Sequence, residues 1–195
     1  MKPLRIVIAD DEAIIRMDLK EILQEAGHEV VGATANGRRA VAIVRDTRPD
    51  LVILDVKMPD MDGVEAARLI AADHLAPVLL LTAFDDAELI ERAKDAGVLA
   101  YLVKPVEEKN LFPAMEIALS RWQEMQSLEE ELFAMRDSLE TRKLLDRAKG
   151  ILMQAHNISE SEAYRRMQRY SMEKRLSLKE VASAVVKAGR KNRKG

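Results

Sequence analysis

The stretch LVILDVKMPDMDG, residues 51–63, decides the fold class of this chain. It opens with an apolar run, Leu51–Leu54, that predicts a buried β-strand, and the acid Asp55 follows at once. Similar runs recur along the first part of the chain, at Leu4–Ala9, Val30–Ala33, Val78–Thr82 and Leu99–Val103. All five are rich in Val, Ile and Leu with little polar alternation, which is typical of strands buried on both faces of a parallel sheet.

Segments with helical spacing separate these strands. The segment after the first strand carries apolar residues at helical intervals before Gly27, namely Ile15, Leu19, Ile22, Leu23 and Ala26. The sequence therefore predicts an α/β fold, a five-stranded doubly wound parallel sheet with helices on both faces. In such folds the chemistry gathers beyond the carboxyl ends of the strands.

Polar side chains stand at four of those ends. Asp10 and Asp11 follow the first strand, Asp55 the third, Thr82 ends the fourth and Lys104 follows the fifth. Clustered carboxylates repel one another unless a hard cation neutralises them, and Mg²⁺ suits such oxygen ligands. A carboxylate beside Mg²⁺ is a competent nucleophile toward a phosphoryl group, with a lysine stabilising the phosphoryl oxygens.

Each of these residues also has a purely structural interpretation. Asp10 and Asp11 are good caps for a helix that begins near Ala13. Taken alone, Asp55 is interpreted as an acidic residue at the start of a loop, and Thr82 and Lys104 as ordinary residues at strand ends. The presence of all five groups at the required strand ends favours the site.

The segments IADDE (residues 8–12), DVKMPDMDG (55–63), LTA (81–83) and YLVKP (101–105) resemble the receiver domain of two-component response regulators. The resemblance covers residues 1–121 and implies a flavodoxin-like fold. It also implies a sensor histidine kinase as phosphodonor, and phosphoryl chemistry limited to the protein's own phosphorylation and dephosphorylation.

The resemblance also implies a role for each site residue. Asp55 is the implied phosphoacceptor. Mg²⁺ is held by Asp55, by Asp11 directly, by Asp10 through water and by the backbone carbonyl of Lys57. The remaining implied roles belong to the phosphate-binding and switch residues: Lys104 pairs with the phosphate, Thr82 reorients, and Tyr101 is the aromatic coupled to it.

Composition bounds the class of protein. The chain has no cysteine, which excludes disulfides and thiolate metal sites, and no apolar run long enough for a membrane span. We therefore expect a cytoplasmic protein. The charge is uneven, because residues 141–195 hold 15 Lys and Arg against 5 Asp and Glu, whereas residues 1–140 hold 16 against 28. This favours an acidic domain joined to one that binds polyanions.

Residues 122–140 predict a helical linker. Apolar residues recur there at alternating steps of three and four: Met125, Leu128, Leu132, Met135 and Leu139. Such spacing is typical of a short coiled coil, which would make a homodimer, or of an intramolecular helix pair.

Residues 141–195 predict a small three-helix domain with a basic tail. Two S-x-x-E capping boxes, Ser159 with Glu162 and Ser177 with Glu180, mark the starts of the second and third helices. We expect the middle helix to bury Ala163, Met167 and Tyr170. Gly150 lies mid-helix, where glycine costs about 1 kcal/mol relative to alanine. Either tight helix packing or close approach of RNA explains it.

The segments RAKGILM (147–153), ISESEAYRRMQRYSM (158–172) and LSLKEVASAVV (176–186) resemble the ANTAR domain, an RNA-binding antitermination module. The resemblance implies a dimer that binds tandem stem-loop RNA and prevents transcription termination. The implied RNA contacts are Lys149, Gly150, Arg165 and Arg169. Gln168 is a weaker candidate, because family members commonly carry Arg there.

Three other functions fit the sequence less well. A DNA-binding transcriptional regulator needs base-reading side chains on its recognition helix, but the last predicted helix is mainly Ala and Val. A module that only transfers phosphate or dimerises would bind no nucleic acid. A metabolic enzyme is disfavoured, because His28, His74 and His156 are scattered without ligand or nucleophile spacing.

Overall fold

A computed structural model of the chain describes residues 2–83, 92, 93 and 95–191. The chain divides into two compact units, Met1–Gln126 and Ser127–Gly195. Within the described residues, none of the helices combines the length and apolarity needed to cross a lipid bilayer. The predicted basic tail lies partly outside them, since residues 192–195 are not described.

The first unit contains the predicted parallel sheet. Its strands are β1 (Arg5–Ala9), β2 (Glu29–Thr34), β3 (Leu51–Asp55), β4 (Val78–Thr82) and β5 (Ala100–Val103). They lie in the order β2-β1-β3-β4-β5, and every neighbouring pair is parallel. The predicted fold class is therefore confirmed.

Both faces of the three central strands β1, β3 and β4 are covered, which explains why these strands are apolar at successive positions. Along β1, Val7 and Ala9 belong to one core cluster, whereas Ile6 and Ile8 belong to the other. Side chains alternate between the faces of a strand, so a strand buried on both sides needs apolar residues throughout.

Helices fill both layers. They are α1 (Ala13–Glu25), α2 (Gly37–Thr47) and α3 (Gly63–Ala72). The side chain of Asn36 caps α2 by accepting from Arg39 N at 3.1 Å, and Asp62 caps α3 by accepting from Glu65 N at 2.7 Å. These carboxamide and carboxylate oxygens satisfy amides that have no partner within the first turn.

A single helix, α4, runs from Glu108 to His156. The predicted linker and the first helix of the three-helix domain are thus continuous, and the boundary between the two units falls inside α4. No glycine interrupts it before Gly150, and Pro113 sits near its start.

The second unit completes a three-helix core with α5 (Glu160–Lys174) and α6 (Leu178–Lys191). Its buried residues include Ala148, Met167, Val181, Ala182 and Val186. Ala163 and Met167 are buried as expected, but Tyr170 is 48% exposed, so the prediction for this residue was wrong. Tyr170 follows Met167 by three residues, which turns it about 60° away from the buried stripe.

The two capping boxes differ in detail. Ser177 Oγ accepts from Glu180 N at 3.2 Å, while Glu180 Oε2 accepts from Ser177 N at 2.7 Å, so this box is reciprocal. Ser159 Oγ accepts from Glu162 N at 3.3 Å, but the carboxylate of Glu162 pairs with Arg166 instead.

Candidate functional site

The sheet register brings the predicted residues of the first unit together. Ala9 pairs with Leu54, so the residues that follow them, Asp10 and Asp55, come level at the carboxyl edge. Thr82 ends the neighbouring strand β4, and its carbonyl accepts from Lys104 N at 2.8 Å. Four groups from four adjacent strands therefore meet at one edge.

Lys104 bridges two buried carboxylates. Its Nζ lies 2.8 Å from Asp10 Oδ2 and 2.8 Å from Asp55 Oδ1. Asp10 is fully buried and Asp55 is 4% exposed. Buried carboxylates are costly without a partner, so the ammonium group stabilises both of them.

The electrostatics follow from this arrangement. Burial raises the pKa of Asp55 above its ordinary value, although the hydrogen bond and charge of Lys104 oppose the shift. Burial alone would lower the pKa of Lys104, but its contacts with Asp10 and Asp55 raise it overall. Lys104 is therefore held in its charged form.

The acidic cluster has the chemistry of a divalent cation site. One carboxylate oxygen from each of Asp10, Asp11 and Asp55 lies within 4.8 Å of the others. Asp10 Oδ2 is buried and makes an ion contact with Lys104 but no hydrogen bond of good geometry. Its lone pairs therefore remain available to a cation. Hard carboxylate oxygens in this number and spacing fit Mg²⁺.

Lys57 lies beside this cluster. Its backbone N–H donates to Asp55 Oδ2 at 2.8 Å, which fixes the orientation of the carboxylate. Lys57 also lines a cavity of about 710 Å³ together with Asp11, Asp55, Thr82 and Lys104. Asp55 therefore lies in the wall of a surface cavity.

Gly63 holds Asp55 in place by close packing. A Cβ at this position would lie 2.0 Å from the Asp55 carbonyl oxygen and 3.1 Å from Val56 Cα. Gly63 N also donates to Val56 O at 2.9 Å. The start of α3 thus rests directly on the end of β3, and only glycine fits there.

Two residues of this region carry no role in the sequence-based prediction. Arg92 pairs with Asp62 at 2.8 Å, and both line the cavity. The two are 30 positions apart, and an arginine on a helix gives no signal of such a contact.

Tyr101 and Thr82 differ in environment: Tyr101 is 47% exposed on β5, whereas Thr82 is 6% exposed.

In the second unit, the predicted RNA contacts lie on two helices. Arg165, Gln168 and Arg169 are exposed on α5. Lys149, on α4, is only 17% exposed in its side chain, because Nζ pairs with Asp146 at 2.7 Å and with Glu160 at 2.6 Å. These carboxylates raise the pKa of Lys149 through hydrogen bonding.

Gly150 has open space around it. No heavy atom of the described residues lies within 4 Å of a Cβ built there, excluding the glycine's immediate neighbours and the backbone of its own turn. Tight helix packing, one of the two explanations for this glycine, is therefore wrong.

Comparison with known proteins agrees with both parts of this description. Residues 6–116 match the response regulator receiver domain family, and residues 134–186 match the ANTAR domain family. The transcriptional regulatory protein PdtaR of Mycobacterium tuberculosis is 49% identical over 184 residues, which cover 94% of this chain and 90% of PdtaR.

Relatives of the first unit alone are also similar. The chemotaxis protein CheY of Thermotoga maritima is 35% identical over 112 residues, covering 57% of this chain and 93% of CheY. The solved structure of the chemotaxis response regulator CheY4 of Vibrio cholerae matches with a TM-score of 0.55 and 31% identity, over 60% of this chain and 100% of CheY4. The chain therefore belongs to the response regulators in which a receiver domain is followed by an ANTAR domain.

Proposed function

We propose that a sensor histidine kinase phosphorylates Asp55 and that this controls the binding of stem-loop RNA by the ANTAR domain. The bound form, a dimer on a tandem stem-loop, prevents formation of a transcription terminator. One observation carries the proposal: Asp55 lies in a cavity beside two further carboxylates, with Lys104 2.8 Å from its Oδ1.

The phosphoryl transfer uses groups that are already in place. An oxygen of Asp55 attacks the phosphorus of a phosphohistidine, the P–N bond breaks, and an acyl phosphate forms while the imidazole takes up a proton. Lys104 then pairs with the phosphoryl oxygens. Mg²⁺, when bound by Asp10, Asp11, Asp55 and the Lys57 carbonyl, supplies positive charge against the developing oxyanions.

The conformational response of the receiver domain follows from the negative charge that phosphorylation adds at the buried Asp55. Thr82 ends the neighbouring strand and lines the same cavity as Asp55, so its hydroxyl is the group that we expect to reorient toward the phosphoryl group. Tyr101, half exposed on β5, is the side chain that we expect to move with it. Such a shift changes the outer surface of β5.

Dimerisation is supported by the exposed heptad stripe of α4, defined by Leu128, Leu132, Met135 and Leu139. Each of these side chains is more than half exposed. An intramolecular helix pair would bury them, so a second copy is the better partner for the stripe.

RNA binding is supported by the exposed Arg165, Gln168 and Arg169 on α5 and by the open space at Gly150. Arginine planes stack on unpaired bases and hydrogen-bond their edges, which suits the loops of RNA hairpins. Lys149 reaches RNA only if it leaves its two carboxylates. The protein acts in the cytoplasm and catalyses no reaction beyond its own phosphorylation and dephosphorylation.

The test compares wild type with Asp55→Asn. Both are treated with acetyl phosphate or a histidine kinase, and affinity for hairpin RNA is measured against duplex DNA at matched salt. We expect phosphorylated wild type to bind the hairpin more tightly than Asp55→Asn does. Equal affinity of the two proteins would contradict gating, and preference for the duplex would favour a DNA-binding regulator.

A further inference from the structure

A pocket of about 360 Å³ opens among α4, α5 and α6 in the second unit, lined by Leu152 of α4 and by residues of the other two helices. Its floor is formed by core side chains such as Met167 and Val181, which are 2% and 4% exposed. Ala184, Tyr170 and Arg166 also line the pocket, and because all three are exposed they form its rim. The pocket is separate from Lys149 and Gly150, which do not line it.

The rim has groups that are not used by the fold. Tyr170 is 48% exposed although the residue beside it in the helical stripe, Met167, is buried. Arg166 forms one ion pair, from Nε to Glu162 Oε1 at 3.3 Å, among the contacts of the described residues. Its terminal nitrogens therefore remain as donors beside an aromatic ring and an apolar floor.

The size of the pocket indicates a small ligand. The volume is near the lower end of the range of about 300–1,000 Å³ for small-molecule sites. A single nucleobase matches an apolar slot with an aromatic ring and a guanidinium, because it stacks on the ring and offers hydrogen-bond acceptors at its edge.

Charge selects among the occupants. Residues 141–195 hold 15 Lys and Arg against 5 Asp and Glu. Two copies of this region repel one another, whereas a polyanion is attracted to it. Arg165 and Arg169, on the same helix as the pocket rim, are placed to hold phosphates next to an inserted base.

We propose that this pocket holds one unpaired nucleobase of the bound RNA, stacked on Tyr170 and hydrogen-bonded by Arg166. The inference rests on the proposed RNA-binding function and adds a base-reading site to it. Phosphate contacts alone would give affinity without reading the loop, whereas a base held in the pocket gives sequence dependence.

The experiment uses the full-length phosphorylated protein and a hairpin RNA selected by the wild type from a random-loop pool. Each loop position is replaced in turn by an abasic nucleotide. With wild type, we expect one position to weaken binding about 5- to 150-fold, the range that corresponds to stacking of about 1–3 kcal/mol per base.

Protein variants then locate that base. Ala184→Leu fills the pocket and Tyr170→Leu removes the ring, so each should weaken the intact hairpin to the same degree and make the abasic change at that position silent. Tyr170→Phe keeps the ring and should retain binding. Ala155→Leu adds the same bulk at an exposed position of α4 outside the pocket, and should bind as wild type does.

The outcomes separate the two levels of inference. Wild-type protein that selects no RNA would sink the proposed function itself. Folded Ala184→Leu and Tyr170→Leu proteins that bind the hairpin with wild-type affinity would overturn the pocket assignment alone. Loss of dimerisation in sedimentation, with unchanged RNA affinity, would likewise overturn it and assign the pocket to contact between copies.

Discussion

Two glycines show how differently the same residue type serves this chain. Gly63 is packed against backbone atoms of Asp55 and Val56, whereas a Cβ at Gly150 meets no heavy atom of the described chain within 4 Å beyond its neighbours and its own helix backbone. Both stand out in the sequence, one in the quoted stretch 51–63 and one in a helical pattern. Only the structure distinguishes them, because the contacts that decide their roles come from neighbours in space.

We expect Gly63→Ala and Gly150→Ala to have opposite effects on stability. The first forces a methyl group to within 2.0 Å of a backbone oxygen that cannot move aside, and should destabilise the receiver domain by about 1–3 kcal/mol or more. The second removes the entropic cost of a helical glycine and should stabilise the ANTAR domain by about 1 kcal/mol.

Urea denaturation followed by circular dichroism measures both changes. If RNA occupies the space at Gly150, the stabilised Gly150→Ala protein should also bind hairpin RNA more weakly. A Gly150→Ala protein with unchanged RNA affinity would show that the space is not part of the interface.

His28 makes stability depend on pH. It is 5% exposed, its Nδ1 accepts from Leu4 N at 3.3 Å, and its ring lies 6.2 Å from that of Phe112. Burial lowers its pKa below 6.5, so the unfolded chain takes up the proton before the folded chain does. Its stabilising effect is complete above about pH 6.5 and is lost as the pH falls through the folded-state pKa.

The measurement is the urea midpoint at about pH 7.5 and about pH 5.5. His28→Gln cannot titrate and should lose less stability over this interval than wild type. His156→Gln changes an exposed histidine and serves as the control. Equal losses in His28→Gln and wild type would contradict the role given to His28.

Among the secondary-structure elements, the sequence predicts the bounds of the strands better than it predicts which helix residues are exposed. All five strands appear within one residue of the expected ends, because each is a short apolar run, and the three central strands are buried on both faces. The burial of Tyr170 was predicted wrongly, because helical spacing indicates which side of α5 faces the core. It does not show how far along α5 the helix α6 covers that side. The pair Asp62–Arg92 has no local pattern at all.

The capping boxes offer a prediction about helix starts. Ser177 and Glu180 bond to each other's backbone amides, whereas Glu162 turns to Arg166. Ser177→Ala should therefore destabilise the ANTAR domain by about 1 kcal/mol. Glu180→Gln should lower its thermal midpoint more than Glu162→Gln does, and the reverse order would contradict the difference in bonding.

At the scale of the molecule, the heptad stripe of α4 predicts a dimer. Leu132→Glu places a charge in the stripe and should keep the phosphorylated protein monomeric in analytical ultracentrifugation. Ala134→Glu adds the same charge two positions away, outside the stripe, and should leave the dimer intact. A dimer that persists in Leu132→Glu would exclude the stripe as the interface.

The uneven charge of residues 1–140 and 141–195 could be predicted from the sequence, since it needs only a count of charged residues along the chain. The acidic cluster could also be predicted from the sequence, because parallel strands bring their ends together in a known way. The pocket of the second unit could not, since it is lined by residues of three helices that span positions 152–188.

The open space at Gly150 has a practical side in a chain that contains no cysteine. A Gly150→Cys substitution would introduce the sole thiol of the protein at a position with room for an attached fluorophore. If a transcript uses this space, the attached label would compete with it, so a loss of hairpin affinity on labelling would report that use in the intact regulator, without any background label.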